Sequence, residues 1–289
     1  MKLKERFVRG IYMASKLIKR IWGTPFAEQE REEAEFVKQI ERGLANGEFK
    51  MYLQFLVDNK EKKIVSAEAL SRWQDANGEI VSPVKYIAVM ERNGLIAKLD
   101  YFMFEKACQK LVAWQNTEFD HITLSCNFTR ITISEKSFAA TLASIADKYA
   151  FDRSKLSIEI TEDAVEKNPE IARGNIFKAK ELGFKIALDD VGSGFTSFIN
   201  LCEYPLDEVK IDRDILLRTD NLRGKKLFWG MISLAHFLNL AVVCEGVETE
   251  EQNKFVSESE CDYIQGWYYA KPMPEEKAED FATAYAEKA

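Results

Sequence analysis

Residues 184–197 read FKIALDDVGSGFTS. An apolar run containing Ile186 and Leu188 closes on two acids, Asp189 and Asp190, and a loop of glycines and hydroxyls follows. A short apolar run bounded by such a turn suits a buried strand. The pattern recurs on both sides. Upstream, apolar runs at 51–57, 64–72, 122–127 and 156–162 carry or end on Glu68, Asn127, Glu159 and Glu162. Downstream, runs at 208–212, 240–245 and 262–265 carry Lys210, Asp212, Glu245 and Gln265, with Glu248 just beyond. Helical periodicity fills the intervals near 84–92, 97–116, 135–149, 168–182, 220–238, 249–258 and 275–287.

Strands alternating with helices imply a parallel sheet. Eight such units in a chain of 289 residues point to a closed α/β barrel of the (β/α)8 TIM type rather than an open sheet. The expected division is a barrel over 29–289 preceded by a basic amphipathic helix or linker over 1–28. In such a barrel the C-terminal strand ends converge on one face, where catalytic groups sit.

Composition narrows the function. The chain is 46% hydrophobic and 30% charged, with 14 Gly and 6 Pro, which excludes disordered and collagen-like classes. Its net charge of -7 disfavours a duplex nucleic-acid grip. Five scattered cysteines without a CxxC pair argue against a zinc ribbon and fit a reducing, cytoplasmic setting. No long uncharged apolar run suggests a membrane span. Residues 1–25 hold seven basic residues and one acid, so a body of net -13 follows a +6 segment. With Phe7, Ile11, Ile18 and Trp22 at helical spacing, that segment suits packing on a partner domain or contact with an anionic membrane.

The charges at the strand ends decide the chemistry. Glu68, Glu159, Glu162, Asp189, Asp190, Asp212, Glu245 and Glu248 are eight acids, with Lys210 and Arg72 as the expected nearby cations. Clustered carboxylates cannot all stay ionised without compensation. The two histidines, His121 and His236, lie at no strand C-terminus, so a His-rich zinc site is disfavoured. Carboxylates with the Asn127 amide are hard oxygen donors suited to Mg²⁺, Mn²⁺ or Ca²⁺. Adjacent Asp189 and Asp190 could share a carboxylate between two metals, the arrangement used for in-line water attack on a phosphodiester. A single such acid can equally be a helix cap or salt-bridge partner, Glu162 and Glu248 above all. Capping cannot explain both Asp189 and Asp190.

Seven motifs in order resemble the EAL-domain family of cyclic di-GMP phosphodiesterases. They are Glu68-Ala69-Leu70, NFT (127–129), EITE (159–162), DDVGSGFTS (189–197), KID (210–212), EGVE (245–248) and QGWYYAKPM (265–273). SPVKYIAVMERNGLI (82–96) looks like the family's connecting helix. The resemblance implies a barrel whose first strand runs antiparallel to the others. It implies hydrolysis of cyclic di-GMP to linear pGpG with two Mg²⁺ or Mn²⁺ ions, inhibition by Ca²⁺, and a homodimer. By position, Glu68, Asn127, Glu159 and Asp189 would ligate one metal, and Asp189 and Asp190 the second. Lys210 would orient the attacking water, and Glu245 would serve as general base or metal-shell ligand. Glu248 and Gln265 would complete the shell, and Glu162 would anchor the loop 190–197. Gln54, Leu70, Arg72, Asp212 and Gln265 would contact the dinucleotide.

Departures from the family pattern are Phe55, Val191, Phe195-Thr196 and Cys244, and none removes a ligand. Val191 stands where the family usually has Phe, at the base of the loop that couples metals to dimer contacts. It keeps open a second reading, a catalytically weak sensor of cyclic di-GMP that acts through a partner.

Overall fold

Among the described residues are ten strands, eight of them in the expected order and the other two only two residues long. They are β1 (Phe49–Asp58), β2 (Ile64–Gln74), β3 (Ile80–Val81), β4 (Thr123–Phe128), β5 (Leu156–Thr161), β6 (Lys185–Val191), β7 (Glu208–Ile211), β8 (Ala241–Cys244), β9 (Tyr263–Gln265) and β10 (Met273–Pro274). The computed structural model describes residues 30–161, 169–192 and 198–287. Residues 1–28, Glu162 and most of the loop 190–197 therefore lie outside the described residues. The helices are α1 (30–45), α2 (Pro83–Arg92), α3 (Ile96–Trp114), α4 (Arg130–Ile133), α5 (Phe138–Ala146), α6 (Pro169–Glu181), α7 (Phe198–Glu203), α8 (Arg213–Leu216), α9 (Leu222–Phe237), α10 (Glu250–Ser257) and α11 (Glu275–Ala286). Among the described residues no helix is long and apolar enough to cross a membrane.

Strand order β1-β9-β8-β7-β6-β5-β4-β2 closes through a β1–β2 pairing into an eight-stranded barrel. Neighbours from β2 through β9 are parallel. β1 is antiparallel to β9, with Leu56 opposite Gln265 and Asp58 opposite Tyr263. The link to β2 forces this direction, because residues 59–63 are too few for a parallel crossover. Asp58 shapes that turn, its Oδ1 accepting from the N–H groups of Lys60 and Glu61.

Strand parity sorts the side chains. Ile158, Ile160, Ile186, Leu188, Val209, Ile211, Val242 and Cys244 alternate with residues of the opposite face, and all are buried. The opposite parity carries Ser125, Asn127, Ser157, Glu159, Asp189, Glu208, Lys210 and Gln265. The apolar set forms the core and the second set brings polar groups together.

Two units can be described separately. The barrel unit contains Phe49–Arg72 and the described residues from Gly94 on. The smaller one contains 30–48 and Trp73–Asn93. In the smaller unit Trp73 packs on Phe36 and Tyr86 at centroid distances of 5.5 and 6.1 Å, and its indole donates to Glu48 at 3.0 Å. Pro83 opens α2, a position where its missing N–H costs nothing. The short helices α4 and α8 and the strands β3 and β10 were not expected from periodicity; pieces of two to four residues carry too little of it.

Candidate active site

One buried ammonium organises the C-terminal face of the barrel. Lys210 on β7 is 1% exposed at its side chain. Its Nζ lies 2.7 Å from Glu245, 3.0 Å from Glu159, 3.2 Å from Asp189 and 3.7 Å from Glu68. These acids come from the end of β8, from β5, from β6 and from β2. Glu68 is further held by Asn127 Nδ2 on Oε1 at 2.5 Å and by Gln265 Nε2 on Oε2 at 2.7 Å.

The electrostatics follow from this crowding. Burial acts to raise the Glu68 pKa, but Lys210 and the bonds from Gln265 and Asn127 outweigh it and hold it low. Burial pushes Glu159 well above the usual carboxylate range, with Glu68 and Asp189 adding to the effect against Lys210. Glu245 is pushed up to about 8 by burial first and then by Asp189 and Glu68. For Lys210 the four acids overcome burial and keep it charged. One cation is thus not enough for this layer.

Asp189 and Asp190 are neighbours on a strand, so they should face opposite sides. A register shift between Leu188 and Val191 breaks the alternation, and Asp190 adopts φ +58°, a left-handed conformation that Asp tolerates better than most residues. Oxygens of Asp189, Asp190 and Glu245 consequently lie within 4.8 Å of one another. Burial and the neighbouring Asp189 raise the Asp190 pKa to about 6.

These groups fit hard divalent cations. Every donor is oxygen. Asn127 uses its Nδ2 on Glu68, which leaves Oδ1 available to a cation. Gln265 Oε1 is buried without a hydrogen-bond partner among the described residues, an acceptor that a cation or its water would satisfy.

The EAL domain family matches residues 37–272. The chain belongs to that family. Cyclic di-GMP phosphodiesterase RocR of Pseudomonas aeruginosa is 29% identical over 250 residues, 86% of this chain and 63% of that protein. Cyclic di-GMP phosphodiesterase NbdA of the same organism is 26% identical over 255 residues, 88% of this chain and 33% of that protein. The chain thus spans about a third to two thirds of these curated relatives. In fold it resembles the PaMucR phosphodiesterase solved in complex with c-di-GMP, with a TM-score of 0.78 at 23% identity over 84% of this chain and 99% of that one.

The other expected positions of this EAL domain are spread around the acid layer. Gln54 Nε2 donates to the Ala270 carbonyl at 3.2 Å. The Arg72 guanidinium lies 5.7 Å from the centroid of the Tyr52 ring and donates to the Ser71 carbonyl. Leu70 is half-buried on β2. Asp212 caps α8 through the Asp214 N–H at 2.7 Å. Val191 is buried and pairs with Ile211 in register.

Glu248 is not brought to Lys210. Arg213 takes its carboxylate in a two-pronged bond of 2.6 and 3.0 Å. Arg213 is a third cation that the strand-end reading missed, although it stands directly after the KID motif. The contact requires glycine next door: a Cβ on Gly246, at φ +69°, would lie 2.5 Å from Arg213 Cβ. Gly266 is required likewise, since a Cβ there would lie 2.0 Å from the Val247 carbonyl oxygen.

Proposed function

We propose that this EAL domain is a metal-dependent phosphodiesterase that hydrolyses cyclic di-GMP to linear pGpG. The observation that carries the reading is the surplus of carboxylates around a single buried ammonium on the C-terminal face. Two Mg²⁺ or Mn²⁺ ions would be held by Glu68, Asn127, Glu159 and Asp189 and by Asp189 and Asp190. When bound they supply Lewis-acid activation of water and charge neutralisation at phosphate.

The chain's own groups do the rest. Lys210 orients the attacking water and meets phosphate charge. Glu245, 2.7 Å from the Lys210 ammonium, takes the proton that water gives up as its oxygen bonds to phosphorus. The bond from phosphorus to the ribose oxygen breaks, that oxygen takes a proton from solvent as it leaves, and Glu245 returns its own proton to solvent. Gln265 and Glu248 belong to the surrounding shell, Glu248 through Arg213. Gln54, Leu70, Arg72 and Asp212 contact the dinucleotide.

The test is incubation of the purified chain with cyclic di-GMP and Mg²⁺ or Mn²⁺, with products separated by chromatography. The expected product is pGpG, suppressed by EDTA or Ca²⁺ and absent with Glu68→Ala. Tight binding in Ca²⁺ with intact nucleotide in Mg²⁺ and Mn²⁺ would replace the enzyme by a binding module.

A further inference from the structure

The turn after β4 is fixed by a buried charge that the reaction does not use. Asp100 on α3 is 6% exposed. Its Oδ2 accepts three hydrogen bonds: from the Thr129 N–H at 3.0 Å, the Thr129 hydroxyl at 2.9 Å and the Thr132 hydroxyl at 2.6 Å. A buried carboxylate persists only when donors repay its lost hydration, and here all three come from the chain just past Asn127. The residue between them, Phe128, is locked as well. It packs edge-on against Phe138 and Phe104 at centroid distances of 5.2 and 5.8 Å. Asn127 itself is exposed at the barrel face, and its only side-chain hydrogen bond among the described residues is the one to Glu68. The ladder pairs its backbone with Glu159 on one side, and the two residues that follow fix the chain on the other.

We infer that Asp100 is a positioning residue that, through Thr129, holds the Asn127 amide in place for a divalent cation. The inference rests on the metal-dependent reading of the site. Groups that orient a ligand typically change metal affinity about 10–100-fold when removed.

A built-in control exists. Asn175 on α6 is also buried and donates to the Ile133 and Glu135 carbonyls at 2.7 and 2.8 Å, pinning the far end of the same short helix. It lies beyond the segment that carries Asn127.

The measurement is Mn²⁺ affinity of the full chain by calorimetry, with melting temperature alongside. Asp100→Ala should weaken Mn²⁺ binding about 10-fold or more. Asp100→Asn keeps an acceptor oxygen and should recover most of the affinity. Asn175→Ala should lower the melting temperature and leave Mn²⁺ affinity unchanged. In an Asn127→Ala background, Asp100→Ala should add no further loss, because both would act through one ligand. Unchanged affinity in Asp100→Ala, an equal loss in Asn175→Ala, or additive losses in the double variant would each overturn the inference while leaving the enzyme reading intact. A parent chain that binds no Mn²⁺ would overturn both.

Discussion

The two ends of the barrel treat charge differently. At the foot, where the parallel strands begin, two acids each take a lysine of their own, and burial pushes the pKa of a third, Glu208, up to about 7. Lys155 binds Asp120, and Lys180 binds Asp207, whose second oxygen accepts from the Ile186 N–H at 2.8 Å. A cavity of about 260 Å³ lies there, lined by Ser66, Thr123, Ser157, Lys185, Glu208 and Tyr263 among others. At the opposite end four acids share Lys210. Paired ions at the foot cost little and stabilise little. An unbalanced cluster costs folding energy, and its persistence at the C-terminal ends of the strands marks the working face.

Removing Lys210 should produce the largest effect. Lys210→Met leaves four acids without their cation, and a loss of about 3–5 kcal/mol at pH 8 is expected in urea unfolding. The same variant should recover stability at pH 5. Its acids would have folded pKa values above the unfolded ones, so they take up protons and favour the fold as pH falls. A loss no larger than at the foot would break the comparison.

Next in size is the response of the parent chain to pH and cations. Glu245 titrates near 8 in the folded protein against an ordinary value of 4.5. In EDTA, stability should fall as pH rises through that window, because the unfolded chain releases the proton first. Mn²⁺ at about 100 times its Kd should restore about 2.7 kcal/mol, and Asp189→Asn should abolish that gain. A melting temperature indifferent to Mn²⁺ would remove the argument for a metal.

Asp207→Ala tests the foot. It orphans the Ile186 N–H and the Lys180 ammonium, and about 1–3 kcal/mol should be lost with Mn²⁺ affinity unchanged. The smallest effect is expected for Arg213→Ala. Its pair with Glu248 is partly exposed, so the stability change should stay below about 1 kcal/mol. A large fall in Mn²⁺ affinity there would show that Glu248 serves the metal layer from its place on Arg213.

Much of the fold was legible because the strand signal is strong and local. All eight barrel strands lie within about two residues of the apolar runs. The antiparallel β1 was expected only through the family resemblance; its physical reason, a link to β2 too short for a crossover, emerged with the strand boundaries. Glu248 was the harder residue. It stands three positions beyond Glu245, as a second ligand might, and only the approach of Arg213 over Gly246 assigns its carboxylate elsewhere.

The sequence by itself determined the alternation of strand and helix, the acids at the strand ends, and a donor set without histidine. It also determined family membership, because seven motifs in order leave little freedom. The tertiary structure alone decided which acids meet. Lys210 reaches Glu159 across 51 residues, and Gln265 reaches Glu68 across 197. Such contacts depend on strand register around a closed barrel and on one bulge at Asp190. Neither leaves a local periodicity, because both arise only when distant strands pair.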